Sequence, residues 1–375
     1  MKNTMKFKKN YYQKFDWVDK IYRIRGPLKT RLNKIRLDKN EKPDQHLSSL
    51  FQKFKKIIKN EHLTAYPETE KLYQTLSKKI YVDKKSIVLT PGSDAGIKAC
   101  FDLCTTEKDN VLTVNPTFAM VDIYSKIKRV NQIKVNYDKN LNLDTNKILN
   151  IVRKKNIALV IIANPNSPTG TIIEEKKLVN IINACHKKKT IILIDEAYYG
   201  FCKTTAIKLI KKFPNLIISR TFSKAFGLAG CRVGFLISNP ILALKLYNLR
   251  PMYEVNSIGL LLANEMLQKP AIVKKYIKEQ ENGKNYLISK LKQYKIPYID
   301  SYANFIHINF FNKKQVAEKI FEQKNFLIRG GLNISGLENY LRISLAPVKT
   351  MKKVFEIIKK ILIKSNKNDY IKYKK

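Results

Sequence analysis

No stretch of this chain stays apolar for the 18 or so residues that a membrane helix requires, so no membrane partner is expected. The opening MKNTMKFKKNYYQKFDWVDK is basic but lacks the apolar segment of a secretory leader. Cysteine is scarce and odd in number, with five in all. The five (Cys100, Cys104, Cys185, Cys202 and Cys231) mostly sit in apolar, helix-like patterns. That placement predicts buried reduced thiols rather than a disulfide framework, and with it a cytoplasmic setting. No Gly/Ser-rich or Pro-rich linker and no internal repeat divides the chain. Acidic residues are few as well: 30 Asp and Glu face 72 Lys and Arg, a formal charge of +42. Nucleic-acid binding requires such charge in clusters. Here lysine is dispersed from end to end, with no zinc-finger or RNP-type motif beside it. Neither a nucleic-acid partner nor a bound metal is expected.

What is present fits a globular protein: 375 residues, 44% hydrophobic and 27% charged, enough for one large and one small domain. Residues 1–45 read as a basic arm with aromatic anchors at Tyr11, Tyr12, Phe15, Trp17 and Tyr22. From about residue 85, short apolar runs alternate with amphipathic segments, the pattern of βαβ units around a parallel sheet. SIVLT, NVLTV, IALVIIA, TIILI, LIIS and VGFLI are uniformly apolar, as strands covered on both faces should be. Residues 46–255 are therefore assigned to a large domain and 256–375 to a smaller α+β domain, completed by the arm. Within the latter, Ile258 to Tyr294 reads as a long charged helical stretch. NFIHINF reads as a half-exposed strand, and VFEIIKKILI closes the chain with helical spacing.

Polar clusters follow several of these runs, and in open α/β sheets ligands gather at the carboxyl ends of strands. TPGSDAGIKA places the N–H groups of Ser93, Asp94 and Ala95 at a helix start, a site suited to phosphate or simply a capped helix. Asp195 ends a run of four aliphatic residues. A carboxylate there is costly unless it meets a cation or hydrogen-bond donors, and a protonated heterocyclic nitrogen is one such partner. Tyr198 follows three residues later. Phe118 lies at another strand end, as core or as a stacking face for a ring. ANPNSPTG, with Asn166 and Ser167, reads alone as a turn. RTFSKAFGLAGCRVGF supplies Thr221, Ser223, Lys224 and Arg232. An arginine with two hydroxyls makes an anion site, and a partly desolvated lysine beside it is fit to form a Schiff base. Taken singly, any lysine of this chain is a solvated charge.

Together these segments resemble the fold-type I pyridoxal-phosphate enzymes, specifically the class I/II aminotransferases and their histidinol-phosphate aminotransferase branch. LDKNEKP, AYPETEKL, GSDAG, NPTFAM, NPNSPTG, DEAYYGF, RTFSKAFGLAGCRVGF and YLRISLA occur in the family's order, between about residues 35 and 365. The resemblance implies an α/β fold with a mostly parallel, seven-stranded-type sheet between helices. It implies pyridoxal 5′-phosphate as cofactor, an amino donor and an oxo acceptor as small-molecule partners, and a homodimer. Lys224 is implied as the Schiff-base lysine, Asp195 as the partner of the ring nitrogen, Tyr198 as that of the ring oxygen, and Phe118 as the stacking residue. Ser93, Asp94, Ala95, Thr221, Ser223 and Arg232 are implied around the cofactor phosphate. Tyr66 is implied to reach the neighbouring subunit's site, and Arg342, Arg329 and Asn40 to meet substrate.

The chain departs from the family's pattern where Ser167 stands in place of the usual Asn before Pro-Thr-Gly. Either its hydroxyl replaces the amide or the register shifts to Asn166. Gly330 and Gly331 follow Arg329 where a polar residue is usual, and RISLAP replaces the commoner Thr-Val-Gly ending. A decarboxylase of a phosphorylated amino acid and a non-enzymatic binding protein remain as alternative functions.

Overall fold

The structure is a computed structural model that describes residues 16–19, 21, 31–43, 48–330 and 334–363. Tyr11, Tyr12, Phe15 and Tyr22 of the expected arm lie outside the described residues. Trp17 lies within them, with the Arg129 guanidinium 5.5 Å from its ring.

In chain order the strands are β1 (Ile35–Arg36), β2 (Ile87–Thr90), β3 (Asn110–Asn115), β4 (Asn131–Asn136), β5 (Leu159–Ala163) and β6 (Ile191–Asp195). They continue as β7 (Leu216–Thr221), β8 (Gly234–Ser238), β9 (Tyr298–Ile299), β10 (Phe305–Asn309), β11 (Phe326–Leu327) and β12 (Tyr340–Ser344). Seven form one sheet in the order β2-β8-β7-β6-β5-β3-β4. Only β8 runs antiparallel to its neighbours. The expected α/β, mostly parallel sheet is thus observed. Its strands other than β4 are buried, which is why their sequences carry little polar alternation, whereas the edge strand β4, NQIKVN, alternates and is largely exposed. In β5, Val160 and Ile162 enter one apolar layer and Leu159 and Ile161 the other, the period of two of an extended chain. Each such side chain contributes about 1.5–3 kcal/mol on burial.

A separate apolar cluster is built from Leu37, the end of the helix Pro270–Gln293, strands β10 and β12, and the closing helix Val348–Leu362. The three-stranded sheet β12-β10-β9 lies here, and β1 pairs with β11 in parallel. The predicted helical stretch from Ile258 to Tyr294 is two helices, Ser257–Gln268 and Pro270–Gln293. Pro270, which has no amide hydrogen, opens the second. Although it was expected on the small-domain side of residue 255, the first helix packs Leu260, Ala263 and Met266 into the core of the large sheet.

One expectation is reversed. NFIHINF was read as half exposed, yet Phe305, Ile306, His307 and Ile308 are all fully buried. The polar-looking face of β10, the one that carries His307, is covered by the turn that contains Ser167 and Pro168.

Candidate active site

The parallel strands β3, β5, β6 and β7 all end at one edge, and strand order reverses at β3, with β4 on one side and β5 on the other. A cavity of about 660 Å³ opens there. Its wall includes Phe118 after β3, Ser167 after β5, Asp195 and Tyr198 after β6, and Thr221, Ser223 and Lys224 after β7. Because β8 is antiparallel, its start lies beside the ends of β7 and β2. That reversal carries Arg232, just before β8, to the first turn of the helix Ser93–Cys104.

Arg232 Nη2 pairs with Asp94 Oδ1 at 2.6 Å, and Nη1 donates to Ser223 Oγ and to the Ala229 carbonyl, both at 3.3 Å. The first intrahelical bond runs from Gly96 N–H to the Gly92 carbonyl, so the N–H groups of Ser93, Asp94 and Ala95 precede the helical ladder. Gly92 has φ +85°, and a Cβ there would lie 2.3 Å from Arg232 Nη2. The backbone therefore approaches this guanidinium as only glycine permits.

Lys224 Nζ donates to the Lys39 carbonyl at 2.8 Å. Burial lowers its pKa, with the cations Arg342 and Arg232 adding to the effect and Tyr198 opposing it. Asp195 is buried, and burial pushes its carboxyl up to about 7. Its Oδ1 has no hydrogen-bond partner among the described residues. The Tyr198 hydroxyl accepts from Asn40 Nδ2 at 2.8 Å and lies 3.5 Å from Ser167 Oγ. Asn40 is held in turn by Ser344, whose hydroxyl donates to Asn40 Oδ1 at 3.0 Å.

The opposite wall comes from the smaller sheet. Arg329 and Arg342 pair through both backbone amides, at 3.0 and 2.8 Å, so their side chains stand next to each other. Arg342 donates to the Asp38 carbonyl at 2.8 Å, and its guanidinium lies 5.2 Å from the Phe305 ring. Its Nε is buried without a partner among the described residues, and burial lowers its pKa. Two arginines on one wall, one of them incompletely satisfied, make a site for an anion.

Residues 33–361 match the family described as aminotransferase class I and II. The chain belongs to that family. The histidinol-phosphate aminotransferase of Caldanaerobacter subterraneus subsp. tengcongensis is 34% identical over 316 residues, which is 84% of this chain and 89% of that relative. The solved structure of histidinol-phosphate aminotransferase from Sinorhizobium meliloti in complex with pyridoxal-5′-phosphate has a TM-score of 0.77 at 23% identity, covering 90% of this chain and 96% of that one. L-threonine-O-3-phosphate decarboxylase from Porphyromonas gingivalis has a TM-score of 0.73 at 21% identity, covering 88% and 99%. These two structural likenesses bear on the fold alone.

The residues present fit the cofactor of an aminotransferase. Asp195 Oδ1 lacks a partner that a protonated ring nitrogen can supply, and the Gly92 cradle beside Arg232 suits a phosphate. Three predicted residues are not on the cavity wall of the chain. Asn166 is fully buried, and its Nδ2 donates to the Pro116 carbonyl at 2.9 Å and to Thr169 Oγ1 at 2.8 Å. Of the two alternatives for this turn, Ser167 is the one that faces the cavity. Ala95 has only its backbone near the helix start. Tyr66 is 75% exposed, stacks on Tyr253 at 4.3 Å and does not line the cavity.

Several residues escaped the sequence reading. The Lys39 carbonyl, Asn304 and Ser344 position Lys224 and Asn40. Glu196 and Arg220, at the ends of adjacent strands, form a buried pair in which Arg220 Nε and Nη2 donate to Oε2 at 3.0 and 2.9 Å. Two opposite charges at the ends of apolar runs were the available signal, since neither is buried without the other.

Proposed function

We propose that this protein is a pyridoxal-phosphate-dependent aminotransferase of the histidinol-phosphate type, moving an amino group from glutamate to a small phosphorylated oxo compound. The observation that carries this reading is the convergence, in one cavity, of Lys224, a buried Asp195 with a bare oxygen, and the paired Arg329 and Arg342. When bound, the cofactor supplies an electron sink for the bond broken at the substrate's Cα.

The chain's own groups do the rest. Lys224, whose pKa burial lowers, would hold the cofactor through its amine and would move the proton at the substrate's Cα. Asp195, through its unpartnered Oδ1, would hold the ring nitrogen in its protonated form. Phe118 would stack on the ring, and Tyr198 and Ser167 would hydrogen-bond its hydroxyl. Arg232, Ser223, Thr221 and the N–H groups of Ser93–Ala95 hold the cofactor phosphate. Arg329 and Arg342 receive the anionic groups of the substrate, with Asn40 beside them.

The test is addition of glutamate to the cofactor-loaded protein. The expected result is loss of the visible cofactor band, its recovery on adding imidazole-acetol phosphate or another phosphorylated oxo compound, and stoichiometric 2-oxoglutarate. A band that persists in glutamate, with release of CO2 from serine or threonine phosphate, replaces this reading with a decarboxylase.

A homodimer is part of the same proposal. Leu63, Tyr66, Met252 and Tyr253 are exposed at half or more of their area, and the Tyr66–Tyr253 stack places them on one apolar patch. A second copy of this chain is its inferred occupant, and a monomeric mass in solution at micromolar concentration overturns that. A cytoplasmic location is inferred from the five cysteines, all free.

A further inference from the structure

The face of β10 read as half exposed carries a histidine that the proposed chemistry does not use. His307 is fully buried, and its Nε2 lies 2.8 Å from the Pro168 carbonyl. A carbonyl only accepts, so Nε2 carries the hydrogen and the neutral ring leaves Nδ1 bare. Nδ1 is buried without a partner among the described residues.

Two relationships give this bond its consequence. In register, His307 stands directly opposite Arg342, which pairs in turn with Arg329 on its other side. His307, Arg342 and Arg329 therefore form one row across the small sheet, on the face toward the cavity. Pro168 directly follows Ser167, the residue that stands beside Tyr198 where the family has Asn. The turn 166–170 rests on the same segment at a second point, where Tyr302 N–H donates to the Gly170 carbonyl at 2.8 Å. Gly170 has φ +77°, and a Cβ there would lie 2.3 Å from Ser301 Oγ, so the Gly170 backbone lies directly against the Ser301 side chain.

We propose that His307 is a positioning residue: its hydrogen bond to Pro168 ties the row of substrate arginines to the turn that sets Ser167 against Tyr198. One latch then fixes two distances, that of the Ser167 hydroxyl on the cofactor side and that of Arg342 on the substrate side. A cationic His307 would face the Arg342 guanidinium across the strand pair, and burial keeps the ring neutral, its pKa lowered to about 4. The proposal rests on the aminotransferase reading for its substrate arm alone.

The test compares His307→Leu, His307→Gln and Ser167→Ala as cofactor-loaded protein. His307→Leu removes the donor, whereas Gln can keep an N–H near the Nε2 position. In His307→Leu the pH midpoint of the visible cofactor band is expected to rise by about half a unit, as a polar contact at the ring oxygen weakens. KM for the phosphorylated acceptor is expected to rise about three- to tenfold with kcat nearly unchanged, the range for one lost neutral hydrogen bond. His307→Gln should restore both toward the native values. Adding His307→Leu to Ser167→Ala should move the midpoint no further, since the latch acts through Ser167. An unmoved midpoint in His307→Leu, equal impairment by Gln and Leu, or additive midpoint shifts would each overturn the proposal. If the Leu variant does not fold, His307→Asn, too short to reach Pro168, takes its place with the same expectations. The midpoint needs no substrate, so it remains decisive even if the amino acceptor is misassigned.

Discussion

The two walls of the cavity are built in opposite ways. The wall at the ends of β3, β5, β6 and β7 presents the bare Asp195 Oδ1, the first-turn N–H groups after Gly92 and a desolvated Lys224 held through the Lys39 carbonyl. On the small-sheet side the side chains are tied in place even where one atom is left bare: Arg342 by the Asp38 carbonyl, Asn40 by Ser344 and, behind them, His307 by Pro168. An unsatisfied wall gains most from a permanently bound group. A wall with preset side chains gives a passing substrate its orientation at little entropic cost. The contrast separates retention of a cofactor from selection of a substrate, and substitutions on the two walls should read out differently.

The largest effect is expected at Lys224. Lys224→Ala should lower the transamination rate by at least about 10²–10⁴-fold, the usual contribution of a placed acid–base group, measured as single-turnover loss of the cofactor band. Arg342→Leu should leave that band intact and raise KM for the anionic acceptor by at least about thirtyfold, the lower end for truncating one side of a buried charged contact. If it instead released the cofactor, the two walls would not be functionally separate. Gly92→Ala combines a positive φ with a clash on Arg232 and should weaken cofactor binding by about tenfold or more, read by equilibrium dialysis, with KM for the acceptor little changed.

The smallest effect concerns pH. Asp195 keeps its proton in the folded cofactor-free protein up to about 7, whereas the unfolded chain releases it near 4. The folded state binds the extra proton within that window, so stability falls as pH rises from about 4 to 7 and levels off above it. Denaturant midpoints of the cofactor-free protein across this range should carry that slope, and Asp195→Asn should flatten it. Equal slopes in the two proteins would mean that Asp195 is not the buried acid of the unsatisfied wall.

How much was legible beforehand differs between the walls for a related reason. Uninterrupted apolar runs marked the strands of the large sheet, and the polar residues directly after them marked the cavity edge. Asp195, Phe118 and Lys224 were placed at that edge as candidates, but singly each read as well as a cap, a core ring or a solvated charge, and only the family resemblance gave them roles. The small-sheet wall was misread where it mattered. NFIHINF alternates like a half-solvated strand, but the turn carrying Ser167, more than a hundred residues away in sequence, covers the polar side. Asn166 and Ser167 are neighbours with similar chemistry, and only the backbone path through the turn decides which one faces the cavity.

By itself the sequence determined the alternation of strands and helices, the burial of the large sheet on both faces, and the residue types available at its strand ends. These follow from local periodicity and from the cost of leaving apolar runs in water. Tertiary structure alone decided the row of His307, Arg342 and Arg329, the buried Glu196–Arg220 pair, and the pairing of Arg232 with Asp94. Those contacts depend on strand register and on the reversed direction of β8, which bring together side chains that no local pattern relates.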